Sequence, residues 1–472
     1  REIVALLARN PVNEQPQALA QLHANFSSHS ADWVQLRQAV LQGYAYANQN
    51  LLLDYGVVSD CEDAIEEARR MCNCPVEALL LTLAADFRRN LATVRVTLAG
   101  GRIQETRATR GLTEAALVAW KRPAARSISS TDIRALLVGR DLKISAEAGR
   151  DALSISVTGS PADLEAGLQV VHLLLTEPRV EAAPFRQWQE EALESIATRK
   201  MQAGRMLYEL VPDALYPVDD PRARPLEADE VRAIDAADAQ VWLDALVATG
   251  PVEAAVVGDI DRAYALDLAS RYLGSLPARH RIAPDIYASL RAVERSKGPI
   301  EVHARVRSST PRAVVLSGMY GADATDTASG RALDLAAQIL TTRRFQALRA
   351  GEQIVSSRGL GLFYAAGPVD GEHAATLAER IEQEFLAFAE SGPTESEIAV
   401  ARTQIINSIE EDQREPQHWA SILADSSYRA RPLDDVALAA EQIRALTADA
   451  VRRAFSAAYA PEARFEFVVR PE

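Results

Sequence analysis

Between Arg331 and Ser357 the chain reads Arg-Ala-Leu-Asp-Leu-Ala-Ala-Gln-Ile-Leu-Thr-Thr-Arg-Arg-Phe-Gln-Ala-Leu-Arg-Ala-Gly-Glu-Gln-Ile-Val-Ser-Ser. Leu333, Ala336, Ile339, Leu340 and Phe345 keep the spacing of one helix face, Gly351 interrupts it, and Ile354-Val355 opens a β-like run. The spacing predicts helix, turn, strand. Arg349 falls where the helix hands over to the strand, a place where a planar guanidinium can donate to the carbonyl oxygens of an extended peptide. An exposed arginine that only favours the negative end of the helix dipole fits the local sequence at least as well.

Other chemistries find little support. The seven histidines are His23, His29, His172, His280, His303, His373 and His418, and no two are four residues apart, so no paired imidazoles can face a metal from one helix. Cys61, Cys72 and Cys74 are too few and too odd in number for a disulfide framework, and Cys72-Asn-Cys74 alone is a weak metal hint. Nucleophile-elbow, phosphate-loop and dinucleotide glycine patterns are lacking. His172 sits on the apolar face of Leu168 to Leu175 and reads as a satisfied core histidine. Arg343-Arg344 reads as a solvated helix end more readily than as the lining of an acidic-substrate surface, and the run starting at Glu410 as a solvated face.

Composition narrows the class further. The 472 residues are 48% apolar and 25% charged with a formal net charge of −14, which suits globular protein and disfavours a phosphate-backbone partner. The apolar cluster Ala78 to Ala85 is far shorter than a membrane span. The opening Arg-Glu-Ile-Val carries neither an initiator methionine nor a leader pattern, so the chain is expected to be a processed or trimmed product.

The elements that must position Arg349 come in two similar sets. Residues 1–89 read as helices (Glu2 to Leu7, Pro16 to Phe26, Ala31 to Leu53, Cys61 to Met71) of no assignable role. From about Asn90 an alternating strand, Leu91 to Ala99, leads to a helix from Gly111 and a second that Ser130-Thr131-Asp132 can cap. Strands Leu142 to Ala146 and Ala152 to Thr158 follow, then long helices Pro161 to Thr176 and Ala182 to Lys200, broken at Pro178. The helix starting at Leu164, Pro178 and Phe185 to Ile196 has a counterpart in the helix starting at Leu377, Pro393 and Ile398 to Ile409. Likewise the run from Glu230 matches the run from Gln442, with Asp235 and Thr447 placed to cap the next helix, and each feeds a strand, Val252 to Val257 or Arg464 to Val469. Ser296-Lys297-Gly298-Pro299 marks the boundary, after which Ile300 opens a fresh strand through Val306. The expected organisation is 1–89 helical, 90–295 a first α+β domain and 296–472 a second, with Arg331 to Ser357 answering to Ser130 to Ala146.

Several separated motifs occur in an order that resembles the insulinase/pitrilysin-type zinc metallopeptidases, the inverted zinc-motif family related to mitochondrial processing peptidase. They are Val257-Gly-Asp-Ile-Asp, Arg271-Tyr-Leu-Gly-Ser-Leu-Pro, Phe345 through Ser356, and, similar to the bacterial branch, Asp163-Leu-Glu-Ala-Gly-Leu-Gln with Leu175-Thr-Glu-Pro. The resemblance covers about 90–472 and concerns the half that lacks His-x-x-Glu-His. It implies two homologous antiparallel-sheet domains packed with helices, forming one half of a clam-like chamber. It also implies no metal on this chain, zinc on a partner half, and an extended peptide enclosed between the two. The partner would be a separate subunit or the upstream part of one longer chain, in bacterial periplasm or cytoplasm. Arg349 matches the family's substrate-gripping arginine, while Ser356 stands where the family has a tyrosine seven residues on, which shortens any reach to the substrate. Arg349, Ser356 and the adjacent Ser357 form the expected substrate-binding set, with no catalytic residue. The alternative is a catalytically inactive relative that serves as a peptide-binding, chaperone-like or assembly subunit.

Overall fold

The computed structural model describes residues 77–80 and 90–472 apart from 200, 217–223, 292–293, 309, 323–325, 348–354, 360 and 431, with backbone alone for 77–80, 344–347 and 355–359. Its strands form two sheets. The first contains β1 Glu77–Leu80, β2 Ala92–Ala99, β3 Leu142–Ala148, β4 Ala152–Gly159 and β5 Val252–Gly258 in the order β1-β5-β2-β4-β3. The second contains β6 Ile300–Val306, β7 Arg312–Tyr320, β8 Val355–Gly359, β9 Leu362–Asp370 and β10 Arg464–Pro471 in the order β6-β10-β7-β9-β8. Strand for strand the two orders are the same. In each, the first strand runs parallel to the last and every other pairing is antiparallel. The chain is α+β, with helices packed on mostly antiparallel sheets.

Alternation and caps explain most elements. Val94, Val96 and Leu98 of β2 and Leu153, Ile155 and Val157 of β4 turn one sheet face into a core with the helices Leu164–Thr176 and Ala236–Thr249. Asp235 Oδ1 accepts from the Ala237 amide at 2.6 Å and Thr447 Oγ1 from the Ala450 amide at 3.2 Å, so both expected caps form. The helix Ser130–Leu137 is capped one residue earlier than expected, by Ser129, whose extended backbone lets its hydroxyl accept from the Asp132 amide at 3.2 Å.

Three differences from the sequence reading concern strands. Ile300–Val306 is an edge strand, the counterpart of Glu77–Leu80 and not of Leu91 to Ala99. Glu77–Leu80, within the stretch expected to be helical, pairs with β5 in the first sheet; the expected helices before it and all three cysteines lie outside the described residues. The true counterpart of β2 is β7, a central strand the sequence reading passed over, because Ala313 to Met319 is apolar on both sides instead of alternating.

The two units also cover one another. The helix Ala203–Leu215 belongs to the first by sequence, yet Leu207 and Leu215 pack on Leu316, Phe465 and Phe467 of the second sheet. Reciprocally the helix Pro416–Leu423 sets Trp419, Ala420 and Leu423 on Ala255 and Val257 of the first sheet.

Candidate peptide-contact site

The helix Thr327–Ala347 is fixed by Leu333, Leu335, Ala336, Ile339 and Leu340, all buried in the second core. It leads toward β8, an edge strand of its sheet. Register with β9 sets Ser356 opposite Ala365 and Ser357 opposite Tyr364. Among the described residues β8 has a neighbouring strand on one side only, so its other edge is of the kind that can pair with an extended segment. Arg349 lies outside the described residues. The structure therefore brings the two serines onto one edge strand.

Arg343, expected at a solvated helix end, is instead an anchor. Its Nη2 donates to Glu397 Oε2 at 2.9 Å and to the Gly392 carbonyl at 3.2 Å, and its guanidinium lies 5.1 Å from the Phe388 ring centroid. Hydrogen bonding from Arg343, against the opposing effect of burial, holds the Glu397 carboxyl down at about 2. Glu397 also closes a capping box with Thr394, so one carboxylate ties the helix bearing Arg343 to the start of the helix Glu395–Asp412.

A second anchor holds the far end of the β8–β9 hairpin. At Gly361, with φ 73°, an added Cβ would come within 2.8 Å of Arg295 Nη2, and the Arg295 guanidinium lies 5.1 Å from the Tyr320 ring centroid. The Tyr320 hydroxyl donates to the Ser296 carbonyl at 2.9 Å, and burial pushes its pKa up to about 12. The boundary segment thereby fixes the strand pair that carries Ser356 and Ser357.

The face of the first sheet turned toward the Pro416–Leu423 helix is polar. Thr93, Thr97, Ser154 and Ser156 are buried there; Arg95 Nη1 donates to Ser156 Oγ at 2.9 Å and Nη2 to Glu147. Glu253, also buried, accepts from the Ser427 and Tyr428 amides at 3.0 and 3.3 Å. Beside it, Asp151 takes both Nη groups of Arg429, at 2.6 and 2.7 Å, and Nε of Arg291 at 2.7 Å. Burial raises the Asp151 pKa, but the hydrogen bonds from Arg429 and Arg291 more than reverse that and leave it below the ordinary value. The Tyr428 ring lies against both guanidinium groups, its centroid 4.2 Å from Arg291 and 4.8 Å from Arg429. Sequence reading missed this cluster, whose only local sign was a charged residue on the polar side of an alternating strand.

The described histidines do not fit a zinc centre. His172 Nδ1 donates to the Tyr272 carbonyl at 2.8 Å, as a satisfied histidine does, and His303 stands 3.9 Å from Glu466. Among the described residues no three His, Cys, Asp or Glu side chains converge on a metal position. No helix among them is long and apolar enough to cross a membrane.

A profile described as the peptidase M16 inactive domain matches residues 234–405. No curated protein matches the sequence. Similar solved structures include the peptidase M16 inactive domain from Pseudomonas fluorescens, with TM-score 0.72 and 17% identity over 84% of this chain and 96% of that one. Another is the periplasmic protease PqqL from Escherichia coli, with TM-score 0.69 and 16% identity over 84% of this chain and 44% of PqqL. A third is a point mutant of the ferredoxin protease FusC in complex with Arabidopsis ferredoxin, with TM-score 0.63 and 16% identity over 83% of this chain and 43% of FusC. The chain thus spans less than half the length of these two proteases. Residues 234–405 thus match the peptidase M16 inactive domain, the fold of the chain is that of the M16-type structures it resembles, and the sequence holds no His-x-x-Glu-His.

Proposed function

We propose that this chain is the non-metal half of an M16 peptidase, pairing with a zinc-bearing half to enclose and clamp an extended peptide that the partner hydrolyses. The observation that carries this reading is the inactive-domain match on a chain that corresponds to less than half of PqqL and FusC. FusC supports it from another direction, since that protease is described in complex with a protein, ferredoxin. Zinc belongs to the partner. Here β8 supplies an edge for the peptide backbone, Ser356 and Ser357 lie along it, and Arg349 grips the peptide or its developing oxyanion, a role typically worth roughly a few kcal/mol when donors are preorganised.

The test is reconstitution. The isolated chain is expected neither to retain zinc after dialysis nor to cleave a quenched fluorescent peptide, and addition of the zinc-bearing half should restore cleavage. Arg349→Ala should then lower kcat/KM by about a hundredfold. Unchanged kcat/KM removes Arg349 from the site. Peptide binding with no cleavage in any pairing replaces the peptidase role by that of a peptide-binding or assembly subunit, the reading that Ser356 in place of a tyrosine favours.

A further inference from the structure

We propose that the strip of the first sheet formed by β4 and β3, with the Arg95 guanidinium at its inner edge, binds a carboxylate side chain of an extended peptide, which takes the place of Glu147 on Arg95. The inference rests on the peptide-clamping reading above and names a chemical preference for it. The Pro416–Leu423 helix packs on β5 and β2, while Lys143, Ser145 and Glu147 of β3 remain exposed on the same face. Register aligns Lys143 with Thr158, Ser145 with Ser156 and Glu147 with Ser154, so the exposed side chains of β3 stand over buried or half-buried hydroxyl groups that are already paired with Thr93, Arg95 and Glu147. The strip's charges are unequal in exposure, and Glu147 also accepts from Ser154 Oγ at 3.2 Å. The Arg95 side chain is 16% exposed and held to Ser156, whereas its partner Glu147 is 65% exposed. A fixed cation whose counterion stands in water can exchange that counterion for another, and Lys143 adds a second positive charge to the strip. Glu253 shares the face but is buried beneath Ser426 to Tyr428 and does not compete.

Two fluorescein-labelled peptides of alternating threonine and valine, differing only in a central glutamate or glutamine, are titrated against the whole chain by fluorescence anisotropy at low salt. The glutamate peptide should bind about fivefold tighter, and Glu147→Gln should widen that ratio by about threefold more, because the resident carboxylate no longer competes. Arg95→Gln should bring the ratio to unity. A merely damaged fold cannot produce the gain expected of Glu147→Gln, whose side chain is mostly in water. Equal affinities for the two peptides, or a ratio that Glu147→Gln leaves unmoved, overturn the assignment of Arg95 while leaving the clamping reading in place. Loss of binding to both peptides overturns the strip as a peptide site, while the reconstituted cleavage above decides the clamping reading separately.

Discussion

The two sheets share an order and a register scheme, yet the faces they turn toward one another's helices are opposite in character. On the second sheet, Leu316, Phe465 and Phe467 meet Leu207 and Leu215, an apolar contact that is non-directional and indifferent to salt. On the first, Arg95, Thr97, Ser154 and Ser156 lie beside the Glu253 and Asp151 contacts to Ser426 through Arg429, and the apolar part is built from small residues, Ala255 and Val257 under Trp419 and Leu423 and Ala99 and Ala152 beside Tyr428. The same topology therefore closes one interface by burial and the other by oriented charge. Buried charge contributes less net stability than apolar packing of equal extent, because desolvation offsets the attraction, but it fixes direction more tightly. A face that keeps hydroxyl and guanidinium groups in place is also one that can meet a polar ligand.

The comparison can be broken most directly by truncating both interfaces. Phe467→Ala, at a fully buried position, should cost roughly 3 to 5 kcal/mol in urea unfolding, through lost transfer energy and the cavity left behind. Asp151→Asn keeps the volume but weakens three hydrogen bonds from two arginines, and should cost about 2 kcal/mol by the same measurement. An Asp151→Asn effect larger than that of Phe467→Ala would reverse the ranking of the two interfaces.

Acid sharpens the contrast. The folded pKa of Asp151 is depressed, so its contribution is complete above the ordinary 3.8 and disappears as pH falls through the lower folded value. The stability gap between the native chain and Asp151→Asn should hold steady above about pH 5 and close in acid, whereas the Phe467→Ala gap should not track that titration. Glu397 supplies a smaller test within the second unit. Its carboxyl titrates at about 2 instead of 4.5, so the gap to Glu397→Gln should shrink as pH falls from 4.5 toward 2. Urea midpoints across a pH series measure both, and a gap for Glu397→Gln that persists at the lowest pH would detach Glu397 from the anchoring of the Thr327–Ala347 helix.

Much of this was legible in the residues. Asp235 and Thr447 announce their helices because a cap acts over three residues, and the break near Pro178 needs only one ring to make it. The helix before Arg349 and the strand bearing Ser356 followed from spacing, and the missing His-x-x-Glu-His is a property of the string itself. The reading failed where a segment is covered on both faces. Arg312–Tyr320 lost its alternation because the Ala203–Leu215 helix lies on one side and the Ala374–Ser391 helix on the other. Arg95 stands on the polar side of an alternating strand, a pattern that carries no sign of cover, although that side of β2 lies largely under the other unit.

By itself the sequence determined most local elements among the described residues, their twofold recurrence and the absence of a paired-histidine metal motif, since periodicity, capping and ligand spacing all operate within a few turns of chain. Only the tertiary structure decided that β7 is central and Ile300–Val306 an edge, that each unit lends a helix to the other, and that Asp151 is stapled to Tyr428 and Arg429. Those contacts join residues 277 and 278 positions apart, a separation over which no local pattern carries information. Their partners are selected by complementary shape and charge once the sheets have formed.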